Sequence, residues 1–183
     1  MSTLKIALIG NQAFGLVNFR GALIRRLVNM GHTVVALVPD YTPETKAAVI
    51  AMGATPIDHS VARAGMNPFT DGHAAWRLSR SLQMIAPDLI LAYTVKPVVY
   101  GILAAKLAGV KRRYALIEGL GHAFIHSRTF KERLLQWCVC TLYRSSLSAA
   151  DRTLFLNGDD EAEFTRRGLV PIGRSKVVGT IGV

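Results

Sequence analysis

The sequence predicts an α/β domain built on a Rossmann-like, doubly wound parallel sheet with helices on both faces. Short apolar runs alternate with helical patterns from one end of the 183 residues to the other. The runs are apolar throughout, which is typical of parallel strands buried on both faces. Several helical patterns stop at a glycine, a residue that commonly ends helices. Since 50% of the residues are hydrophobic, we expect one domain over residues 1–183 with a sizeable core.

The predicted elements follow one another as strand and helix without an internal repeat or a linker. Strands are expected at Ile6–Ile9, Thr33–Val38, Thr55–Ile57, Leu89–Tyr93, Tyr114–Ile117 and Thr153–Leu156, with a candidate seventh at Lys176–Val178. Helical periodicity covers Val17–Met30, Glu44–Met52, Asp71–Ile85, Val98–Leu107, Phe130–Ala149 and Asp159–Arg167. The glycines expected to end helices are Gly31, Gly53, Gly109 and Gly168.

The charge balance is strongly basic and narrows the classes of partner. The chain has 22 Lys and Arg against 12 Asp and Glu, a formal net charge of +10. Such a balance favours polyanions, anionic membrane surfaces or phosphorylated substrates, and net charge alone does not choose among them. Nucleic acid is disfavoured because no known binding module accompanies the charge.

The cysteines and the N-terminus indicate a cytoplasmic protein. Cys138 and Cys140 are two residues apart in a predicted helix, where they point to different faces and do not readily bridge each other. The start of the chain runs directly into a strand pattern and has no signal peptide. Because no apolar run approaches the ~20 residues of a membrane span, we do not expect an integral membrane protein.

Polar residues and glycines follow the predicted strands, at the sheet edge where such folds bind ligands. The first loop resembles a dinucleotide fingerprint only at Gly10 and Gly15, because Gln12 replaces the middle glycine, and Asp40 lies beyond the next strand. Binding of NAD or FAD is therefore disfavoured. The loop still suits a phosphate or a sugar hydroxyl, and Gly10 is equally well explained by a tight turn.

Basic residues near this edge have both functional and structural explanations. Arg20 lies early in a predicted helix, where the helix dipole is unfavourable for a cation, so it calls for an anionic ligand or a salt bridge. Lys96 precedes Pro97, a residue suited to a first helical position, and either contacts ligand or is solvated. Arg63 and Asn67 lie in the loop after the third strand, where a plain polar loop is the alternative.

Glu118 and His122 are the pair most suited to catalysis. Glu118 follows an apolar strand, where a carboxylate is costly unless it is hydrogen-bonded, and Glu and His often serve in acid–base catalysis. Backbone N–H groups satisfying Glu118, with His122 as a turn residue, are the alternative.

A basic and aromatic helix follows this pair. From Lys106 to Arg152 there are nine Lys or Arg and three acids, and the helix between them carries Phe130, Leu134, Trp137 and Tyr143. This combination suits an anionic membrane surface, although the same apolar residues could pack on the sheet instead.

Taken together, the loops resemble the N-terminal domain of family 4 glycosyltransferases of the GT-B fold, in the branch that builds bacterial surface polysaccharides and lipopolysaccharide. The resemblance covers nearly the whole chain. It is carried, in order, by "NFRGALIRRLVNMGHTV", "RAGMNPFTD", "YTVKPVVYGILAAKLAGV", "EGLGHAF", "LYRSSLSAADRTLFLNGDDEAEFTRRGLV" and "VVGTIGV". No single motif is decisive, but the series is specific.

The resemblance implies an enzyme with two Rossmann-like domains, which usually transfers sugar with retention and without a required metal or other cofactor. The first domain would bind a lipid-linked or saccharide acceptor, and the second the nucleotide-sugar. The segments implied for the acceptor-side wall are Gly10–Arg20, Arg63–Asn67, Thr94–Pro97 and Glu118–His122. Their substrate-binding candidates are Gly10, Gly15, Asn18, Arg20, Arg63, Asn67, Thr94, Lys96, Gly119 and Gly121, and their catalytic candidates are Glu118 and His122. Arg20 and Lys96 would be the best candidates for contacting phosphate.

Two departures from the family pattern qualify this picture. Many members have His-Gly where this chain has Glu118-Gly119, so either Glu118 or His122 would take the place of the usual cleft histidine. The sequence also ends at Gly179–Val183, where the family crosses into its second domain. We therefore expect this chain alone to be inactive. A membrane-recruiting or acceptor-binding subunit of a two-chain transferase is the alternative, and a nicotinamide dehydrogenase ranks third.

Overall fold

The protein is described by a computed structural model that covers residues 2–59, 68–119 and 129–179, except for the side chains of residues 68, 69 and 131. The strands are β1 (Lys5–Ile9), β2 (Thr33–Val38), β3 (Thr55–Asp58), β4 (Leu89–Tyr93), β5 (Arg112–Ile117), β6 (Arg152–Phe155) and β7 (Ser175–Val177). The helices are α1 (Ala13–Asn29), α2 (Pro43–Ala51), α3 (Pro68–Ile85), α4 (Ile102–Leu107), α5 (Phe130–Ala149) and α6 (Gly158–Arg166). A π-helical segment, Pro97–Gly101, leads into α4.

All seven strands form one parallel sheet in the order β3-β2-β1-β4-β5-β6-β7. The chain runs outward from β1 to β3, crosses back, and then runs outward again from β4 to β7. The order of strands therefore reverses between β1 and β4, the point at which doubly wound sheets bind ligands. This confirms the predicted Rossmann-like fold, including the candidate seventh strand.

Helices cover the sheet on two faces because successive strand residues point to opposite sides. On one face, Ile6 and Leu8 of β1 share a buried cluster with Leu16 and Ile24 of α1. On the other face, Ile9 belongs to a cluster with residues of α3 to α6, among them Leu78, Ile102, Tyr143 and Phe164. Burial of these apolar side chains is the main stabilising term for the fold.

Most predicted boundaries agree with the structure, and the start of α1 is a correction. The helix begins at Ala13, four residues before the predicted Val17, so Gly15 lies in its first turn and not in a loop before it. The Asp40 carboxylate accepts a hydrogen bond from the Ala13 N–H at 2.6 Å, which satisfies one free donor at the helix N-terminus. The four glycines predicted to end helices all have positive φ, between 62° and 85°.

Helix α5 agrees with its predicted bounds and begins with a capping box. The Thr129 side chain accepts from the Glu132 N–H, and the Glu132 side chain accepts from the Thr129 N–H. Cys138 and Cys140 on this helix are both free thiols. In the described part of the chain, no helix is long and apolar enough to cross a bilayer.

Candidate functional site

A cavity of about 350 Å³ opens at the carboxyl edge of the sheet, beside the point where the strand order reverses. We call it the central cavity. Asn11 after β1, Thr94 and Lys96 after β4, and Glu118 and Gly119 after β5 line it. The prediction that residues following different strands converge at one edge is confirmed for all five. Parallel strands force this convergence because all their carboxyl ends lie at one edge of the sheet.

Glu118 is held in this cavity by Arg20. An ion pair joins Nη2 of Arg20 to Oε1 of Glu118, and the Arg20 side chain is 3% exposed against 27% for Glu118. The Arg20 guanidinium also lies over the Tyr93 ring, 4.7 Å from its centroid. Burial lowers the pKa of Arg20, yet guanidinium groups remain protonated in proteins. The partner that Arg20 was expected to need is therefore Glu118, and the salt bridge is buried on the Arg20 side.

Lys96 is also neutralised within the chain. Its Nζ lies 2.8 Å from Oδ1 of Asp71, near the start of α3, and the two side chains are 11% and 5% exposed. Lys96 and Arg20 were the two candidates for contacting phosphate. With each held by a carboxylate of the same chain, the central cavity offers little net positive charge to an anionic ligand.

Thr94 has a strained backbone at the rim of this cavity. Its φ is 67°, in the left-handed region that β-branched residues rarely adopt, at a typical cost of about 1–3 kcal/mol. The Thr94 carbonyl accepts a hydrogen bond from the Val98 N–H at 3.0 Å. Its Oγ1 is buried without a hydrogen-bond partner in the described structure. Strain and an unsatisfied hydroxyl at one position are typical of a functional site.

Gly10 is required here by close packing, which corrects the tight-turn explanation. A Cβ at Gly10 would lie 2.3 Å from the Tyr93 hydroxyl oxygen, and Gly10 does not have a positive φ. Burial raises the pKa of Tyr93. Within the described ranges its buried hydroxyl has no hydrogen-bond partner. The contact fixes the end of β1 against the end of β4.

The remaining groups around Gly10 come from β2 and β3. His59 donates a hydrogen bond from Nε2 to the Gly10 carbonyl at 2.9 Å, and burial lowers the pKa of His59, so the ring is neutral at pH 7. Asp40 adds a negative charge at the N-terminus of α1. A second anion, such as a phosphate, is therefore disfavoured at this helix end.

Several predicted site residues lie elsewhere. Asn18 is on α1, where its Nδ2 donates to the Phe14 carbonyl at 2.8 Å, and Gly15 lies one turn earlier. Arg63, Asn67, Gly121 and His122 fall outside the described residues. In the ranges that the structure covers, no three His, Cys, Asp or Glu side chains come together to hold a metal ion.

Sequence reasoning missed four residues of this site: Asp40, Asp71, Tyr93 and Tyr143. Asn11 lies within the predicted Gly10–Arg20 segment. Tyr143 had been treated as part of a membrane-facing or sheet-packing helix, and it is buried beside the cavity. Asp40 and Asp71 contact partners that are far away in the sequence, Ala13 and Lys96. No local sequence pattern indicates such contacts.

The chain is similar in sequence to a curated glycosyltransferase. The chain is 29% identical over 182 residues to the N,N'-diacetylbacillosaminyl-diphospho-undecaprenol alpha-1,3-N-acetylgalactosaminyltransferase of Campylobacter jejuni. The match covers 98% of this chain and 47% of that protein. The chain thus spans about half the length of the curated relative it matches.

Solved structures give the same picture of the fold. The chain superposes on MurG of Acinetobacter baumannii with a TM-score of 0.62 and 14% identity, covering 98% of this chain and 46% of that one. A Rickettsia africae glycosyltransferase gives 0.65 at 14% identity, with 98% and 43% covered. A co-structure of S. aureus MnaA with UDP gives 0.64 at 14% identity, with 98% and 44% covered. At such identities the likeness shows the fold, one half of a GT-B chain, and does not show the activity.

The family itself is shown by sequence. The family model of the glycosyl transferase 4-like domain matches residues 14–180, which is most of the chain and includes Arg20, Thr94, Lys96 and Glu118. The resemblance noted from the loop motifs is therefore confirmed, and the chain belongs to the glycosyl transferase 4-like domain family.

Proposed function

We propose that this chain is the acceptor-binding N-terminal domain of a retaining glycosyltransferase. The enzyme moves a sugar from a nucleotide-sugar to a lipid-linked or saccharide acceptor in surface polysaccharide or lipopolysaccharide biosynthesis. Family membership supports this proposal, as does the C. jejuni relative, whose name specifies a lipid-diphosphate-linked acceptor. The nucleotide-sugar is a co-substrate bound mainly by a second domain, and the reaction needs no metal or other cofactor.

The observation that carries the proposal is the position of Glu118. Its carboxylate lies at the carboxyl end of β5, inside the central cavity, and is 27% exposed. Arg20 pairs with Oε1, and within the described residues no hydrogen bond is made to Oε2. A carboxylate in this state accepts a hydrogen bond from a sugar hydroxyl and can assist removal of its proton. We therefore assign Glu118 to the acceptor hydroxyl, in place of the usual cleft histidine.

The charges around the central cavity favour an uncharged part of the substrate. Arg20 and Lys96 are each paired with a carboxylate, so an entering phosphate would have to displace Glu118 or Asp71. A sugar ring instead meets the hydrogen-bonding groups of Asn11, Thr94 and Glu118 without that cost. We infer that the cavity binds the sugar of the acceptor and that its phosphates lie elsewhere.

Helix α5 supports association with the inner face of the cytoplasmic membrane. Phe130, Leu134 and Trp137 are spaced i, i+4 and i+7, so they share one face of the helix, and they are 80%, 51% and 66% exposed. Arg133 is exposed in the same turns. Aromatic and basic side chains together suit an interfacial site. Liposome co-sedimentation at low and high salt tests this assignment, and no binding to anionic vesicles at low salt would exclude it.

Transfer is tested with a nucleotide-sugar and a lipid-diphosphate-linked acceptor. The protein that continues past residue 183 should transfer sugar, Glu118→Gln should reduce kcat by a factor of roughly 10² to 10⁴, and Arg25→Gln on α1 should not. Residues 1–183 alone should be inactive. Transfer by that chain alone would contradict the assignment of the donor site to a second domain, and a fully active Glu118→Gln would remove the role of Glu118.

The alternative is a membrane-recruiting or acceptor-binding subunit. The gene sequence beyond the codon for Val183 distinguishes it from the transferase. A reading frame that continues beyond Val183 into a second βα domain with paired glutamates supports the transferase. A stop codon at that point supports a subunit that works with a separate catalytic chain.

A further inference from the structure

A second cavity lies at the same edge of the sheet, between α3 and the carboxyl end of β3. Its volume is about 500 Å³, and we call it the α3 cavity. Its lining includes Asp58, His59, Trp76, Arg77, Arg80 and Ser81. Three of the side chains that α3 contributes, Trp76, Arg77 and Arg80, are used neither by the sequence motifs nor by the proposed role of Glu118.

In the described part of the chain, the two arginines have no ion-pair partner. All 12 Asp and Glu residues of the chain lie in the described ranges, and none forms an ion pair with Arg77 or Arg80. Asp58, the acid in the lining, is paired with Lys46 at 2.7 Å. The nearby His59 ring is neutral at pH 7 because burial lowers its pKa. The cavity therefore has an excess of positive charge, in contrast to the central cavity.

Trp76 gives this cavity an aromatic wall. Its side chain is 56% exposed and stacks on His73, with ring centroids 5.9 Å apart and an interplanar angle of 30°. Arg80 is four residues further along α3, so its guanidinium shares the face that Trp76 presents. An exposed Trp beside Arg combines an apolar surface with an anion site, as a lipid phosphate requires.

His59 connects the two cavities. It lines the α3 cavity and donates to the carbonyl of Gly10, whose neighbour Asn11 lines the central cavity. The ends of β1 and β3 are two strand spacings apart, roughly 10 Å. Lys96 of the central cavity is itself paired with Asp71 near the start of α3, so α3 extends from the rim of one cavity to the other.

We propose that the α3 cavity binds the phosphate end of a lipid-linked substrate. Arg77 and Arg80 contact the phosphate oxygens, and Trp76 packs against the adjoining apolar chain. The inference rests on the proposed function, because it takes from it a lipid-linked acceptor. The same chemistry is offered by a membrane phospholipid, whose phosphate also stands beside acyl chains, so the test separates the two sources.

Inorganic pyrophosphate is the first probe, measured on this chain without donor or acceptor. The protein has two tryptophans, so a Trp137→Phe variant leaves Trp76 as the fluorescence reporter. Pyrophosphate should change Trp76 emission. In the same background, Arg77→Gln/Arg80→Gln should weaken binding by roughly tenfold or more, because charge-assisted hydrogen bonds are lost. The matched control, Arg25→Gln/Arg26→Gln, removes the same charge from exposed positions on α1 and should bind as before.

Vesicles then identify the source of the phosphate. Phosphatidylcholine vesicles carrying undecaprenyl diphosphate are compared with vesicles carrying phosphatidylglycerol at equal surface charge. If the protein binds the undecaprenyl diphosphate vesicles more tightly and Arg77→Gln/Arg80→Gln abolishes this preference, the result supports a lipid-linked substrate. Equal binding of both vesicles, weakened by Arg77→Gln/Arg80→Gln and not by the α1 control, supports phosphate binding by the cavity and assigns its source to the bilayer, because α5 still binds the vesicles in both variants.

Two results would overturn the inference. One is the absence of pyrophosphate binding, and the other is an equal loss of binding in the α1 and α3 double variants, which indicates general electrostatic attraction. Neither depends on sugar transfer, so they are distinguishable from failure of the proposed function. Transfer that is lost in Glu118→Gln and unchanged in Arg77→Gln/Arg80→Gln would uphold the function and contradict this inference alone.

Discussion

The two cavities at the carboxyl edge differ in how their cations are balanced. In the central cavity, Arg20 and Lys96 are 3% and 11% exposed, and each is paired with a carboxylate. In the α3 cavity, Arg77 and Arg80 are exposed and have no carboxylate partner in the described structure. A buried cation must be compensated within the fold, whereas a solvated one is free to meet a ligand. Basic side chains at the same edge of the sheet therefore differ in role. Arg20 and Lys96 neutralise carboxylates of the fold, whereas Arg77 and Arg80 are the candidates for binding a ligand.

The largest expected effect is on the Arg20–Glu118 pair. Arg20→Met should lower the free energy of unfolding by about 3 kcal/mol, because it leaves Glu118 partly buried without its partner. Adding Glu118→Leu should recover most of this loss, since an apolar pair has no charge to desolvate. Urea unfolding of the two single variants and the double variant measures the coupling. If Arg20→Met cost nothing, the pair would be irrelevant to the fold and Arg20 would be available to substrate.

The next effect compares Gly10, beside the central cavity, with Gly72 on α3. Gly10→Ala should destabilise the protein by about 2 kcal/mol, because its Cβ would lie 2.3 Å from the Tyr93 hydroxyl oxygen. Gly72→Ala on α3, where a Cβ meets no atom within 4 Å, should instead stabilise the helix by about 0.5–1 kcal/mol. Thermal unfolding of both variants checks this. Equal destabilisation of the two variants would mean that the close contact with Tyr93 is not the reason for a glycine at position 10.

A smaller effect comes from His59, which links the two cavities. Burial lowers its folded-state pKa, so its neutral form is favoured in the folded state. The associated stability is present above the unfolded pKa of about 6.5 and is lost as pH falls through the folded value. His59→Gln should reduce the decline of unfolding free energy on acidification, and His73→Gln, an exposed histidine on α3, should keep it. Identical pH profiles for wild type and His59→Gln would contradict the assignment.

The smallest effect on stability is expected for Arg77 and Arg80, the residues whose replacement should weaken phosphate binding most. Arg77→Gln/Arg80→Gln should change the free energy of unfolding by no more than about 0.5 kcal/mol, because both side chains are exposed and make no ion pair with a described residue. Urea unfolding at low salt tests this. A loss above about 1 kcal/mol would show that the arginines are structural and would weaken the contrast between the cavities.

Much of the fold could be predicted because apolar runs and helix-ending glycines are local signals. Thr33–Val38, Leu89–Tyr93 and Phe130–Ala149 agree with the structure at both ends. The errors are at positions where distant residues decide the boundary. Helix α1 begins early because Asp40, 27 residues away, accepts from Ala13. Strand β5 begins at Arg112 because its polar first residues still pair with β4, which no apolar pattern reveals.

The candidate site was predicted in position and not in its contacts. Placing Thr94, Lys96 and Glu118 at one edge required only the rule for parallel strands. The partner of Arg20 lies 98 residues away, and sequence reasoning offered a ligand and a salt bridge as equal alternatives. The α3 cavity was not predicted, because Trp76, Arg77 and Arg80 look like an ordinary exposed helix face until the end of β3 is placed beside them.

The sequence by itself determined the class of fold, the family and the edge of the sheet at which the candidate site lies, since these depend on periodicity, composition and the order of short motifs. Only the tertiary structure decided which charges neutralise each other and which remain free. That decision depends on burial and on distances between residues far apart in the chain, because the energy of a charge is set by its solvent exposure and its nearest partner. Arg20 and Lys96 are therefore neutralised in the central cavity, whereas Arg77 and Arg80 of the α3 cavity have no carboxylate partner among the described residues.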